Sequence, residues 1–215
     1  MNFDNFKKII PKIAKIQLPG VASQLKMAPV IRQKELDAME DRMKNARKSA
    51  VMALFYPNAQ HETTLVLILR KTYKGVHSNQ VGFPGGQVDP EDVNIEATAL
   101  RETEEEVGVS RTRIKVIREI TSTYIPPSNF TVTPFIGILD EKPLFVPQAS
   151  EVEKIIEISL TDFLSEASIV EKELTTSYAK NIHVPAFYLN NYIVWGATAM
   201  MLSEVKDIIS KVISN

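Results

Sequence analysis

The chain has 215 residues, 44% hydrophobic and 24% charged, a composition that fits a soluble globular protein with enough apolar matter to bury a core. Lys plus Arg number 25 against 26 Asp plus Glu, a formal charge of -1, so bulk electrostatics argue against a nucleic-acid or membrane partner. Cysteine is absent, which excludes disulfides, thiolate zinc sites and cysteine nucleophiles, and leaves oxygen or imidazole ligands for any metal.

In chain order, residues 3 to 17 are weakly amphipathic and predict a short helix interrupted near Pro11, with Pro19-Gly20 marking its end. Pro11, Lys12 and Lys15 break the apolar runs, so the segment lacks the continuous apolar region of a signal peptide; no later stretch reaches the ~20 apolar residues of a membrane span. A cytoplasmic location is the expectation. Leu36, Met39, Met43 and Ala46 recur at three- and four-residue steps and predict a helix from about Gln33 to Ser49. From Ala50 the texture changes: AVMALFYP and TLVLILR are short branched apolar runs around the polar PNAQHET, two strands and a turn. The stretch KTYKGVHSNQVGFPGGQVDPED is too rich in Gly, Pro and polar residues to be regular, and its length suggests a loop with a job. A helix from about Val93 to Val107 follows, with Ile95, Ala99, Thr103 and Val107 on one face and Gly108 placed to end it. Strands are expected in IKVIREITSTYI, TVTPFIGILD, VEKIIEISL, IVEKELTTS and HVPAFYL, then a helix from about Gly196 to Ile213. Nothing demands a second domain, and no repeat or low-complexity segment is present.

Within RETEEEVG, Arg101 to Gly108, four carboxylates occupy one and a half helical turns, where like charges repel. Glu102 and Glu106 project from the same side, Glu105 lies at its edge and Glu104 points elsewhere. Such a patch is either solvated, as acidic runs on exposed faces commonly are, or neutralised by a hard divalent cation, which takes carboxylate oxygens together with waters and substrate phosphates. The preceding loop favours the cation: Gly85-Gly86 leaves backbone without side-chain bulk, able to approach a phosphate and offer it amide groups.

Read together, GGQVDPEDVNIEATALRETEEEVGV resembles the signature of the Nudix hydrolases, G-x5-E-x7-R-E-U-x-E-E-x-G-U with U apolar. Arg101-Glu102, Glu105-Glu106, Gly108 and Val109 match, and Thr103 stands at an apolar position. Val93 occupies the place of the first glutamate and the loop carries one extra residue, so Asp92 and Glu96 are both candidates for the missing carboxylate. That expansion, with Arg70, His77 and then Gln80-Val81-x-Phe83-Pro84-Gly85-Gly86, resembles the coenzyme A pyrophosphatase subfamily, although Asn79 stands where a glycine is usual. Ile193 to Ala199 looks like the same subfamily's I-W-G-x-T-A segment.

The resemblance implies the Nudix α/β/α sandwich with a mixed sheet, residues 1–49 forming an N-terminal helical extension and 50–215 the hydrolase domain. It implies metal-dependent hydrolysis of the diphosphate of coenzyme A or acyl-coenzyme A, to (acyl-)4'-phosphopantetheine and adenosine 3',5'-bisphosphate. Glu102 and Glu106 would be the principal ligands of Mg2+ or Mn2+, with Glu105 a further ligand or the group that orients and deprotonates water, and Glu102 an alternative base; Arg101, pointing away from Glu105, would brace the loop from Gly86 to Asp92. Arg70, Gln80, Gly85 and Gly86 would meet substrate, His77 would touch it or fix the loop, and Arg70, Lys71 and Lys74 are candidates for its additional phosphate. Two other readings stay open: hydrolysis of another nucleoside diphosphate derivative such as ADP-ribose, NADH or a dinucleoside polyphosphate, and nucleotide binding without turnover. Trp195 and the seven methionines are read as core, and His61 and His183 are assigned no function. The N-terminal helices can pack on their own domain or on a second subunit of a homodimer.

Overall fold

A computed structural model describes residues 1–29, 43–72, 79–174 and 182–214. Strand β1 (Arg47–Pro57) is the axis of the fold. It runs parallel to β7 (Phe130–Ile138) along one edge. Its other edge is shared: Phe55 to Pro57 pair antiparallel with β2 (Thr63–Arg70), while Ser49 to Val51 pair antiparallel with β4 (Gly85–Gln87). The path β3-β2-β1-β7-β5 takes in β3 (Val81–Gly82) and β5 (Lys115–Glu119), and β6 (Thr123–Ile125) and β8 (Val152–Ser159) join β7 and β2. The sheet is therefore mixed. A second, antiparallel sheet has the order β11-β10-β9, from Tyr192–Val194, Ile182–Leu189 and Ile169–Leu174.

The period of two along a strand sends alternate side chains to opposite faces, and both faces here are apolar because both are covered. Ala50, Met52, Leu54 and Tyr56 of β1 and Val66 and Ile68 of β2 pack with Ala99 and Val107 of a helix on one side. Val51, Ala53 and Phe55, with Leu65 and Leu67, face the other side and meet Phe3, Phe6, Ile10 and Ile13 together with Leu202, Val205 and Ile209. The helices responsible are α1 (Phe3–Lys15) and α2 (Val21–Leu25) near the start, α3 (Ile95–Val107), the short α4 (Leu160–Leu164), and α5 (Gly196–Ser214) at the end. The result is a sandwich with helices on both faces of a mixed sheet. Among the described residues no helix is long and apolar enough to cross a membrane.

Several boundaries differ from the sequence expectation. Helix α1 runs unbroken through Pro11, because Phe3, Phe6, Ile10 and Ile13 bury one stripe and outweigh the hydrogen bond that proline removes. Residues 47–49, expected at the end of a helix, begin β1 instead, held by the β7 and β4 ladders; residues 33–42 of that helix lie outside the described residues. Helix α3 starts at Ile95, two residues later than expected, since the Asn94 side chain caps it by accepting from Ala97 N–H and leaves Val93 88% exposed. The expected strand over IKVIREITSTYI divides into β5 and β6, and two short strands, β3 and β4, form inside the expected loop. Trp195 is half-buried rather than core, and Met43 is exposed.

The N-terminal segment is fastened by polar contacts as well as apolar ones. Glu204 of α5, fully buried, accepts from Gly20 N–H, Gln24 Nε2 and Thr121 Oγ1. Arg118 of β5 donates to the carbonyls of Ile13 and Ile16 at 2.9 and 2.7 Å, satisfying the end of α1. Helices α1 and α2 thus share one core with the strands of their own chain.

Candidate active site

Three pieces of chain meet at the acidic face of α3: the end of β2 at Arg70, the Phe83 to Gln87 loop with β4, and the helix itself. Asn94 starts the helix and Gly108, at φ 74°, ends it by donating its N–H to the Glu104 carbonyl. Ala99, Thr103 and Val107 are fully buried, with Thr103 Oγ1 donating to the Ala99 carbonyl, so the threonine at an apolar position has its hydroxyl satisfied internally.

Burying that stripe fixes where the carboxylates go. Glu106 is only 1% exposed, and its Oε2 accepts Gly85 N–H at 2.7 Å while its Oε1 accepts Arg70 Nη1 at 3.2 Å. Burial pushes its carboxyl up to about 7, against the pull of Arg70 and of the Gly85 amide. Glu102 is raised too, mainly by burial, and Arg101 opposes the shift. Glu105 is half-exposed, and Glu104 turns away to pair with Arg111, whose guanidinium holds it below its ordinary value.

The glycine pair is needed for close approach within the protein. Gly85, at φ 149°, leaves no room for a Cβ, which would sit 2.3 Å from the Ala50 carbonyl oxygen. A Cβ on Gly86 would lie 2.4 Å from the Glu102 carboxyl carbon. The Gly85 amide expected to face a phosphate is given to Glu106 instead, and Gly86 pairs with Ala50 in the ladder. Val81 and Phe83 anchor the loop in the core. Asn79 takes φ 55°, a left-handed conformation that asparagine tolerates better than most residues, so the backbone usual for glycine is kept.

Arg101 does not point away from Glu105: its Nη1 donates to Glu105 at 3.2 Å and to Glu102 at 2.8 Å, since a long side chain at (i, i+4) reaches its neighbour. The same guanidinium binds Asp92 through two hydrogen bonds and the Gln87 carbonyl through a third. Between the two candidates for the missing carboxylate, Asp92 meets the arginine, whereas Glu96 stands exposed in the first turn of α3. The bond from Arg101 holds the Asp92 carboxyl well below its usual range.

Of the remaining expected site residues, Arg70 lies at the junction, and Gln80 reaches it through its carbonyl, which accepts Arg70 N–H at 3.0 Å. His77 and Lys74 lie outside the described residues. The C-terminal segment comes close as well: Thr198 Oγ1 and Arg70 Nε flank Gly82. His61 pairs with Asp4 and His183 with Glu171, both on the surface.

One carboxylate escaped the sequence reading. Glu151 stands near enough to raise the carboxyls of both Glu102 and Glu106. Its segment is tied in by Lys71 N–H donating to the Glu151 carbonyl and by Gln148 N–H donating to the Glu106 carbonyl. No local pattern marks Glu151; the pairing of β2 with β8 and the backbone contact of Gln148 with Glu106 bring it here.

Glu102 and Glu106, with Glu105 beside them, are hard oxygen donors of the kind a divalent cation takes, each already paired with an arginine. Among the described residues no three His, Asp or Glu side chains form a ready-made cage, so waters or substrate oxygens would complete any coordination.

Comparison with known proteins places this arrangement. The NUDIX domain family matches residues 46–177. The chain is 34% identical over 143 residues to the uncharacterized Nudix hydrolase NudL of Photorhabdus laumondii, covering 66% of this chain and 75% of that one. It is 31% identical over 149 residues to the NudL of Yersinia pestis, covering 69% and 74%. Among solved structures, the Nudix hydrolase RenU of M. smegmatis aligns with a TM-score of 0.53 at 12% identity, over 77% of this chain and 87% of that one. A MutT/nudix family protein of Enterococcus faecalis aligns with a TM-score of 0.52 at 15% identity, over 91% and 73%. The fold is theirs, and the matched domain together with the sequence identity to NudL shows that the chain belongs to the Nudix hydrolase family.

Proposed function

We propose that this Nudix hydrolase cleaves the diphosphate of coenzyme A or an acyl-coenzyme A, giving (acyl-)4'-phosphopantetheine and adenosine 3',5'-bisphosphate. The observation that carries the reading is the junction of Arg70, Gly85 and Glu106, where the upstream Arg70…Gln80-Val81-x-Phe83-Pro84-Gly85-Gly86 signature and the acidic helix bind to one another. The segment that resembles the coenzyme A pyrophosphatase subfamily thus touches the acidic helix through Arg70 and Gly85, which supports the reading.

Attack on a diphosphate is opposed by its negative charge, and more charge gathers on the leaving phosphate as the bond breaks. A Mg2+ or Mn2+ ion held by Glu102, Glu106 and Glu105 would neutralise phosphate oxygens and make water more acidic. Glu105, 47% exposed and paired with Arg101 at 3.2 Å, would orient a water and take its proton; Glu102 is the alternative base. The proton leaves the attacking water, the new P–O bond forms, and the P–O bond to the second phosphoryl group breaks with its electron pair on that group. Arg101 keeps Glu102, Glu105 and the Gln87 to Asp92 loop together, so its role is support. A cytoplasmic location and a homodimer are compatible with this role.

A panel of coenzyme A, its 3'-dephospho form, ADP-ribose, NADH and a dinucleoside polyphosphate, with products identified by mass spectrometry, tests the substrate. Coenzyme A hydrolysed at least tenfold more efficiently than the rest supports the proposal. Preference for ADP-ribose or a dinucleoside polyphosphate would replace it, and nucleotide affinity without turnover would make the chain a binding module.

A further inference from the structure

Arg70 is an obvious candidate for an anion contact, since it ends a strand beside the site and carries a permanent charge. Its surroundings argue otherwise. The β2–β8 register shifts between Leu69 and Arg70, and an irregularity of this kind re-aims the side chain that follows it. The redirected guanidinium donates from Nη2 to the Gly85 carbonyl at 2.7 Å and from Nη1 to Glu106 Oε1 at 3.2 Å. Glu106 closes the ring by accepting Gly85 N–H at 2.7 Å on its other oxygen. The Arg70 main chain is fixed too, its N–H donating to the Gln80 carbonyl at 3.0 Å.

This ring ties β2, β4 and α3 together at a point where β2 and β4 each pair with β1 but not with one another. The Glu106 carboxylate is 1% exposed and the Arg70 side chain 25% exposed, so the pair lies at the inner wall. A planar guanidinium can serve a carboxylate and a carbonyl at once, which a lysine ammonium on a flexible stem does less well.

We propose that Arg70 is a positioning residue: it holds the Glu106 carboxylate against Gly85, and so fixes the spacing between the glycine loop and the acidic helix, instead of binding a phosphate of the substrate. The substrate arm of the test rests on the coenzyme A reading; the metal arm does not.

The experiment compares the native protein with Arg70→Gln and Arg70→Lys. Mn2+ binding is followed by the electron paramagnetic resonance signal of free Mn2+ without nucleotide, and kcat and KM are measured for coenzyme A and its 3'-dephospho form. A partner that orients a metal ligand affects affinity or activity by about 10–100-fold. Arg70→Gln is therefore expected to weaken Mn2+ binding about tenfold or more and to lower kcat for both nucleotides alike, leaving their KM ratio unchanged; Arg70→Lys should recover part of both losses. Mn2+ affinity and kcat unchanged in Arg70→Gln, with KM rising only for coenzyme A, would overturn the proposal and make Arg70 a phosphate contact. If Arg70→Gln does not fold, Arg70→Lys decides by the same two readouts. If no nucleotide is turned over, the coenzyme A reading falls while the Mn2+ measurement still judges Arg70.

Discussion

Arg101 donates from Nε to Asp92 Oδ1 and from Nη2 to Asp92 Oδ2, each at 2.9 Å, so a single residue at the tip of the loop is clamped to the middle of α3. Asp92 is 5% exposed and Arg101 18%. Removing one member of such a buried pair leaves the other charge uncompensated.

Asp92→Ala is therefore expected to destabilise the fold by about 3 kcal/mol, whereas Glu96→Ala on the exposed first turn should change stability by less than ~0.5 kcal/mol. Denaturant unfolding of both variants checks this. The pH sign is fixed by the lowered Asp92 carboxyl: its contribution is present above the unfolded value and is lost as pH falls through the folded one. The acid side of the stability profile should flatten in Asp92→Asn.

Glu106 works in the opposite direction. Its folded carboxyl is raised to about 7, so its share of stability is complete below the unfolded value near 4.5 and is lost as pH rises through 7. Unfolding without metal, measured from pH 4 to 8, should show this decline in the native protein and not in Glu106→Gln. Mn2+ binding at pH 6 should release protons, because the carboxyl must be ionised to act as a ligand. Titration calorimetry in two buffers of different ionisation heat reads the release directly.

The two glycines should fail in different ways. At Gly85 the obstacle is the Ala50 carbonyl and the backbone conformation is one that side chains rarely adopt, so Gly85→Ala should cost about 3 kcal/mol or more. At Gly86 the obstacle is the end of the Glu102 side chain. Gly86→Ala should keep most of the stability, lowering it by about 1 kcal/mol, while activity falls ~100-fold as Glu102 is displaced. Melting curves beside initial rates separate the two.

Phe6 of α1 is fully buried with its ring 5.1 Å from that of Phe55 in β1. Phe6→Ala is expected to cost about 3–5 kcal/mol. Loss of one cooperative transition for the whole chain, followed by calorimetry, would mark residues 1–29 as part of the domain. Unfolding in two separate transitions would make them an independent appendage.

Much of this architecture is legible in the sequence, because the signals are local. Short apolar, branched runs mark β1, β2, β7, β8 and β10, and Asn94 and Gly108 bracket α3 with chemistry that acts within a few residues. What the sequence conceals is settled by distant partners. Arg47 to Ser49 look helical until β7 and β4 supply a ladder, and Val81-Gly82 and Gly85 to Gln87 become strands only against β2 and β1. In the site, the helical spacing of Glu102, Glu105 and Glu106 is plain, but their partners are not: Arg101 reaches both the loop and Glu105, the Gly85 amide turns to Glu106, and Glu151 arrives from a separate strand connection. An extra residue in the loop hides Asp92 from a fixed-spacing pattern, although its carboxylate meets the arginine all the same.

The acidic helix and the glycine loop are proposed to form a metal-dependent diphosphatase for coenzyme A. The most direct test is incubation of the purified protein with coenzyme A and Mg2+ or Mn2+, beside Glu106→Gln, with products resolved by mass spectrometry. Equal amounts of 4'-phosphopantetheine and adenosine 3',5'-bisphosphate from the native protein, abolished by chelation and reduced at least ~100-fold in the variant, is the predicted result. Intact coenzyme A with the native protein in either metal, while another nucleoside diphosphate derivative is cleaved, would contradict it.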